Sequence, residues 1–158
     1  WALNGRKGHR KQNIITSLEL DSHQMEKNNL RFQQTYAAIE ANEVRYQAID
    51  CDDADYLIVA FGSMARVSLK VKELAAEQGI KVGLIRPITL WPFPYEAISN
   101  AAKNAKGILV VELSAGQMIE DVKLAVECQK PVEHYGRFGG IVPTPEEVFE
   151  AFKQKLIK

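Results

Sequence analysis

Apolar and polar positions along this chain change their period near residue 53. Before that point Leu18, Met25, Phe32, Ile39 and Tyr46 recur every seven residues, with Tyr36 on the same stripe. That spacing places them on one face of a helix starting at Asp21 or Ser22. The other seam position of the heptad reads Ser22, Asn29, Tyr36 and Glu43, which does not describe a self-sufficient coiled coil. The stripe is narrow and needs a surface to lie against, either this chain's own or a neighbour's. Periodicity alone leaves two endings open: a helix unbroken to Ile49, or an edge strand over 44–49.

After Asp52-Asp53, short apolar runs alternate with amphipathic stretches. The pattern predicts strands over 56–61, 81–85, 107–111 and 132–135, and helices over 64–78, 94–103, 116–128 and 145–157. Apolar strands alternating with helices describe an α/β fold, a parallel sheet covered on both faces, with right-handed crossovers placing the helices. Residues 1–53 then form an arm and helical connection, and residues 54–158 an α/β domain. If the strands are parallel, the loops that follow them all lie along one sheet edge, where ligands and partners dock in open α/β folds.

The helix starts carry explicit chemistry. Thr144-Pro145-Glu146-Glu147 offers a capping box with proline at the first helical position. Ser114-Ala-Gly-Gln117 repeats the arrangement with Gln, Ser63 is placed to cap the first crossover helix, and Pro94 to open the second.

Composition narrows the function. Twenty basic and twenty acidic residues cancel, so no whole-molecule field collects nucleic acid or an anionic membrane. No apolar run approaches the roughly 18 residues of a membrane span. Trp1-Ala-Leu-Asn-Gly-Arg-Lys7 has no apolar core of a signal peptide, and a chain beginning at Trp1 is expected to be a piece of something longer. Cys51 and Cys128 lack a Cys or His at ligand spacing, and are read as two reduced thiols of a cytoplasmic protein; a disulfide or metal site is the alternative. Residues 5–11 (Gly-Arg-Lys-Gly-His-Arg-Lys) are basic, with phosphate gripping and a solvated linker as the two readings.

The loops hold the candidate sites. Gly62-Ser63, between strand and helix, resembles half a phosphate cradle but lacks the full glycine-rich fingerprints. Arg137, with Phe138, Gly139 and Gly140, could hold a carboxylate or phosphate. The competing account is a loop with glycines at positive φ and an arginine paired to a neighbouring domain. Trp91-Pro92-Phe93-Pro94 is a stiff aromatic knob, suited to an interface centre or to folding onto its own sheet edge. Glu112, Gln117 and Glu120 could approach one another, and a carboxylate there would act as a base only if desolvation or a partner raised its pKa. His9, His23 and His134 are scattered through an arm, a helix start and a strand. No nucleophile, paired carboxylates, metal cluster or iron–sulfur run can be assembled from this text.

Three segments carry a family resemblance: Leu84-Ile-Arg-Pro-Ile-Thr-Leu-Trp-Pro-Phe-Pro94, Val111-Glu-Leu-Ser-Ala-Gly-Gln-Met118 and Tyr135-Gly-Arg-Phe-Gly-Gly-Ile-Val-Pro-Thr-Pro-Glu-Glu147. With Ala54–Ser63 as the opening strand, the chain resembles the C-terminal domain of the alpha subunit of 2-oxoacid:ferredoxin oxidoreductases, of the 2-oxoglutarate and 2-ketoisovalerate type. The resemblance implies a transketolase C-terminal-like fold: three α/β/α layers and a mostly parallel sheet with one antiparallel strand. It implies an assembly that uses thiamine diphosphate, Mg, coenzyme A and iron–sulfur clusters to turn a 2-oxoacid into an acyl-CoA and pass electrons to ferredoxin. The implied partners are an upstream pyrimidine-binding domain of the same subunit and a thiamine diphosphate-binding subunit. No catalytic residue, cofactor or metal site carries over to this chain, which is expected to be inactive alone. Arg86, Trp91, Phe93, Gln117, Arg137 and Phe138 are the expected contacts across domains. The rival expectation is a small-ligand domain that binds coenzyme A or a nucleotide at Gly62, Ser63, Arg137, Gly139 and Gly140. The corresponding domain of a transketolase or dehydrogenase beta subunit shares the fold, but Leu90–Pro94 and Pro143-Thr-Pro145 sit better with the ferredoxin-linked family.

Overall fold

The computed structural model describes residues 17–157, so the basic stretch 5–11, with His9, lies outside the described residues. Elements follow in the order α1 (Ser22–Asn42), β1 (Tyr46–Ile49), β2 (Tyr56–Ala60), α2 (Gly62–Glu77), β3 (Val82–Pro87), α3 (Tyr95–Ala102), β4 (Gly107–Glu112), α4 (Met118–Ala125), β5 (Val132–Gly136) and α5 (Pro145–Leu156). The described residues fall into two compact units, divided between Ala38 and Ile39.

The helical stripe ends before its last member. Tyr46 belongs to β1, which pairs antiparallel with β3 from Tyr46 opposite Pro87 to Ile49 opposite Leu84. The main chain just ahead is already committed to this pairing, because Arg45 O accepts from Ile88 N and Thr89 N. Tertiary pairing overrides a seven-residue repeat here. The sheet thus takes its edge strand from residues ahead of 53, within a compact unit that includes Ile39 onward. Gly83 makes this route possible: a Cβ there would lie 2.9 Å from Cys51 Cα, where the chain crosses β3 after leaving β1.

The five strands run in the order β1-β3-β2-β4-β5. β2 is parallel to both β3 and β4, and β4 is parallel to β5. Alternation along β2 and β4 splits the core into two halves. Leu57, Val59, Ile108 and Val110 pack with Ile98 and Ala102 of α3 and Val122 and Ala125 of α4. Ile58, Ala60, Leu109 and Val111 face Met64, Val71 and Ala75 of α2 and Val148, Phe149 and Phe152 of α5. Most of these side chains are fully shielded from solvent, each contributing about 1.5–3 kcal/mol if it is a large aliphatic or Phe. The result is an α/β/α sandwich with one antiparallel strand, the fold class expected.

Two of the anticipated caps are absent. α2 begins at Gly62 (φ +58°), with Phe61 at the N-cap and no side-chain bond there, so Ser63 sits inside the first turn. α4 begins at Met118, and Ser114 does not close a capping box with Gln117. Its hydroxyl is drawn instead to the buried carboxylate of Glu112 at 2.8 Å, since a charge without water takes the stronger donors. Pro94 stands at the N-cap of α3, one position before the helix. The Thr144 box forms as read: Thr144 Oγ1 accepts from Glu147 N at 3.2 Å, and Glu147 Oε2 accepts from Thr144 N at 2.8 Å. Among the described residues no helix is long and apolar enough to cross a membrane.

Candidate functional site

Parallel pairing of β3, β2, β4 and β5 brings the four succeeding loops to one rim, in the order Ile88–Pro94, Phe61–Ser63, Leu113–Gln117 and Arg137–Pro143. Trp91 and Arg137 share that rim, on loops separated by β2 and β4. The geometry brings the sequence candidates together in three groups rather than in one pocket.

Glu112 is the centre of the first group. It ends β4 with 2% of its surface exposed. Its Oε2 accepts from Ser114 Oγ (2.8 Å), Met118 N (3.1 Å) and Gln117 N (3.2 Å), and Oε1 accepts from Gln117 N (3.2 Å) and Ile119 N (3.4 Å). The carboxylate therefore occupies the N-terminus of α4, where unpaired N–H groups and the helix dipole favour negative charge. His134 Nε2, from the neighbouring β5, approaches Oε1 to 3.4 Å. Gly136 lets the two strands' ends meet, because a Cβ on it would come within 2.2 Å of Ser114 O. Gln117 joins through its main chain, and its side chain is exposed, as is Glu120 on the first turn of α4. His134 was not recognisable as a neighbour of Glu112 from their 22-residue separation in sequence. Pairing the last two strands in parallel register is the signal that would have found it.

Gly62 and Ser63 border a small cleft of 260 Å³ with Glu112, Ser114 and Gln117 on its other side. Among the described residues no Lys or Arg lines it; the α4 terminus on its far side is filled by the Glu112 carboxylate, while the first turn of α2 carries no side-chain cap.

The knob forms the second group, and it is divided. Pro92, Phe93 and Pro94 are buried, while Trp91 is 53% exposed. Thr89 holds the loop: its hydroxyl accepts from Arg45 N (3.0 Å) and donates to Pro92 O (2.8 Å). Phe93 meets Tyr95 edge to face at 5.1 Å. Tyr95 donates its hydroxyl to Asp121 Oδ1 at 2.6 Å, and this bond, with burial and the carboxylate charge, pushes the phenol up to about 12. A cleft of 960 Å³ opens beside these rings. Arg86 faces away from it, bonded to Gln47 at 3.0 Å.

The third group surrounds Arg137. Its guanidinium donates to Glu147 Oε1 at 3.3 Å, and Tyr135 and Glu147 both hold it in the charged form. The arginine thus pairs with the capping-box glutamate of its own α5. Gly139 and Gly140 adopt φ of +69° and +85°, the left-handed region that favours glycine. Phe138, Ile141 and Val142 stand out from the same loop, 51–67% exposed. Cys51 and Cys128 are both free, and burial pushes the Cys51 thiol up. No group of three or more metal-ligating side chains gathers among the described residues.

Comparison with known proteins agrees with this architecture. A family model described as pyruvate:ferredoxin oxidoreductase core domain II matches residues 54–148. The ketoisovalerate oxidoreductase subunit VorB of Methanothermobacter marburgensis is 44% identical over 140 residues, which are 89% of this chain and 39% of that protein. The 2-oxoglutarate synthase subunit KorA of Archaeoglobus fulgidus is 27% identical over 98% of this chain and 43% of its own length. The chain thus spans about two fifths of these relatives. Among solved structures, the 2-oxoglutarate:ferredoxin oxidoreductase of Magnetococcus marinus, with 2-oxoglutarate, coenzyme A and succinyl-CoA bound, superposes with a TM-score of 0.69 at 18% identity, over 87% of this chain and 24% of its own. A split-gene transketolase gives a TM-score of 0.60 at 20% identity, over 71% of this chain and 41% of its own. Sheet order, the single antiparallel strand and the match to more than half of its residues make this chain a member of the pyruvate:ferredoxin oxidoreductase core domain II family.

Proposed function

We propose that this chain is the non-catalytic C-terminal domain of the alpha-type subunit of a cytoplasmic, thiamine diphosphate-dependent 2-oxoacid:ferredoxin oxidoreductase. Its work is assembly. It packs against the upstream pyrimidine-binding domain of its own subunit and against a thiamine diphosphate-binding subunit, while thiamine diphosphate, Mg, coenzyme A and iron–sulfur clusters are held elsewhere in the complex. The 44% identity to a ketoisovalerate oxidoreductase subunit favours a branched 2-oxoacid as the substrate of that complex.

One observation carries the reading. The buried ionisable group at the rim, Glu112, has both oxygens engaged in fixing the main chain of α4, whereas Trp91, Leu90, Phe138, Ile141 and Val142 present apolar surface along the same edge. A rim that fixes its carboxylate and exposes its rings suits contact between proteins better than proton transfer.

Two measurements test this. The purified 158-residue chain should show no 2-oxoacid-dependent reduction of a redox dye; turnover would overturn the proposal. Full-length subunit carrying Trp91→Ala or Phe138→Ala should co-elute less with its thiamine diphosphate-binding partner in size-exclusion chromatography. Unchanged co-elution, together with micromolar coenzyme A binding that Arg137→Ala abolishes, would make the domain a ligand-binding module instead.

A further inference from the structure

The cleft beside the Trp91 loop is acidic as well as apolar. Glu40, Glu96 and Asp121 line it, and among the described residues no Lys or Arg does. Two cations on neighbouring strand positions are turned to other partners: Arg45 to Glu43 Oε2 at 2.8 Å, and Arg86 to Gln47 Oε1 at 3.0 Å. The apolar wall is aromatic, with Tyr46, Trp91 and Tyr95 exposed by 45%, 53% and 42%. Asp121 accepts the Tyr95 hydroxyl and so fixes one ring of that wall, leaving Glu40 and Glu96 exposed at the margin.

Ring faces and carboxylates prefer the same occupant, a cation on an apolar stem. A phosphate or a carboxylate coenzyme would meet only like charge there. At 960 Å³ the cleft holds several side chains rather than one. We infer that this cleft is a docking groove for a basic segment of the partner subunit, one that presents Lys or Arg flanked by apolar residues. The inference rests on the assembly role proposed above, and it names the surface and the chemistry of the contact.

The test uses full-length subunit and its thiamine diphosphate-binding partner subunit, with their Kd measured at low and high salt. Charge reversal by Glu40→Lys with Glu96→Lys should weaken association by about tenfold or more at low salt and flatten the salt dependence. Glu77→Lys, on α2 in the opposite layer, should leave Kd unchanged. The milder Glu40→Gln with Glu96→Gln, checked for native thermal unfolding, should weaken it in the same direction by a smaller factor. If neither pair changes Kd while Trp91→Ala weakens it, the groove takes an apolar partner without basic character; this inference then fails and the assembly role stands. If Trp91→Ala and Phe138→Ala are silent as well, both fail. Carbodiimide coupling of Glu40 or Glu96 to a lysine of the partner subunit would support the inference, and coupling to the subunit's own upstream domain would overturn it.

Discussion

Glu112 is almost fully buried, and the donors gathered around its two oxygens set its place there. Three consecutive main-chain N–H groups, Gln117 to Ile119, converge on it with the Ser114 hydroxyl. Glu112→Gln places an amide NH₂ against those donors and should destabilise the fold by about 2–3 kcal/mol in denaturant titration. Tyr95 supplies the pH-dependent residue. Its bond to Asp121 raises the phenol from 10.0 to about 12, so it favours the protonated form in the folded state. The stability this bond contributes is fully present below pH 10 and is lost as pH rises from there toward 12. Ultraviolet titration should show one late-ionising tyrosine that disappears in Tyr95→Phe.

At the level of the element, α5 depends on its first turn. Thr144→Ala removes the acceptor for Glu147 N and frees Glu147 from the box, which should lower stability by about 1 kcal/mol in chemical denaturation. This start was legible in the sequence because every participant lies within four positions. The start of α4 was not. Ser114 and Gln117 have the spacing of a box, yet Glu112, two residues earlier, takes both the hydroxyl and the N–H groups. Local spacing cannot rank a buried carboxylate above a neighbouring hydroxyl, because burial is decided by the whole sheet. The same limit applies to Tyr46, whose place on the helical stripe yields to the ladder offered by β3. The central strands β2 and β4 were legible because both faces of the sheet are covered there, which makes their sequences continuous apolar runs. Trp91 and Phe93 looked equivalent in the text, and only packing separates an exposed ring from a buried one.

On the scale of the whole molecule, the core belongs to residues 39–158, which form a compact unit of their own. A fragment starting at Ile39 should therefore fold cooperatively, with coincident loss of far- and near-ultraviolet circular dichroism on heating. A non-cooperative melt would show that earlier residues complete the core.

β1 runs against its four companions, so the strand begins opposite Pro87, where β3 ends. The polypeptide consequently joins the sheet from its working side. Arg45 and Thr89, 44 positions apart, are bonded there. Lengthening the stretch between Asn42 and Tyr46 would therefore loosen the Arg45–Thr89 bond at the base of the Trp91 loop, with the apolar packing of β2 and β4 untouched.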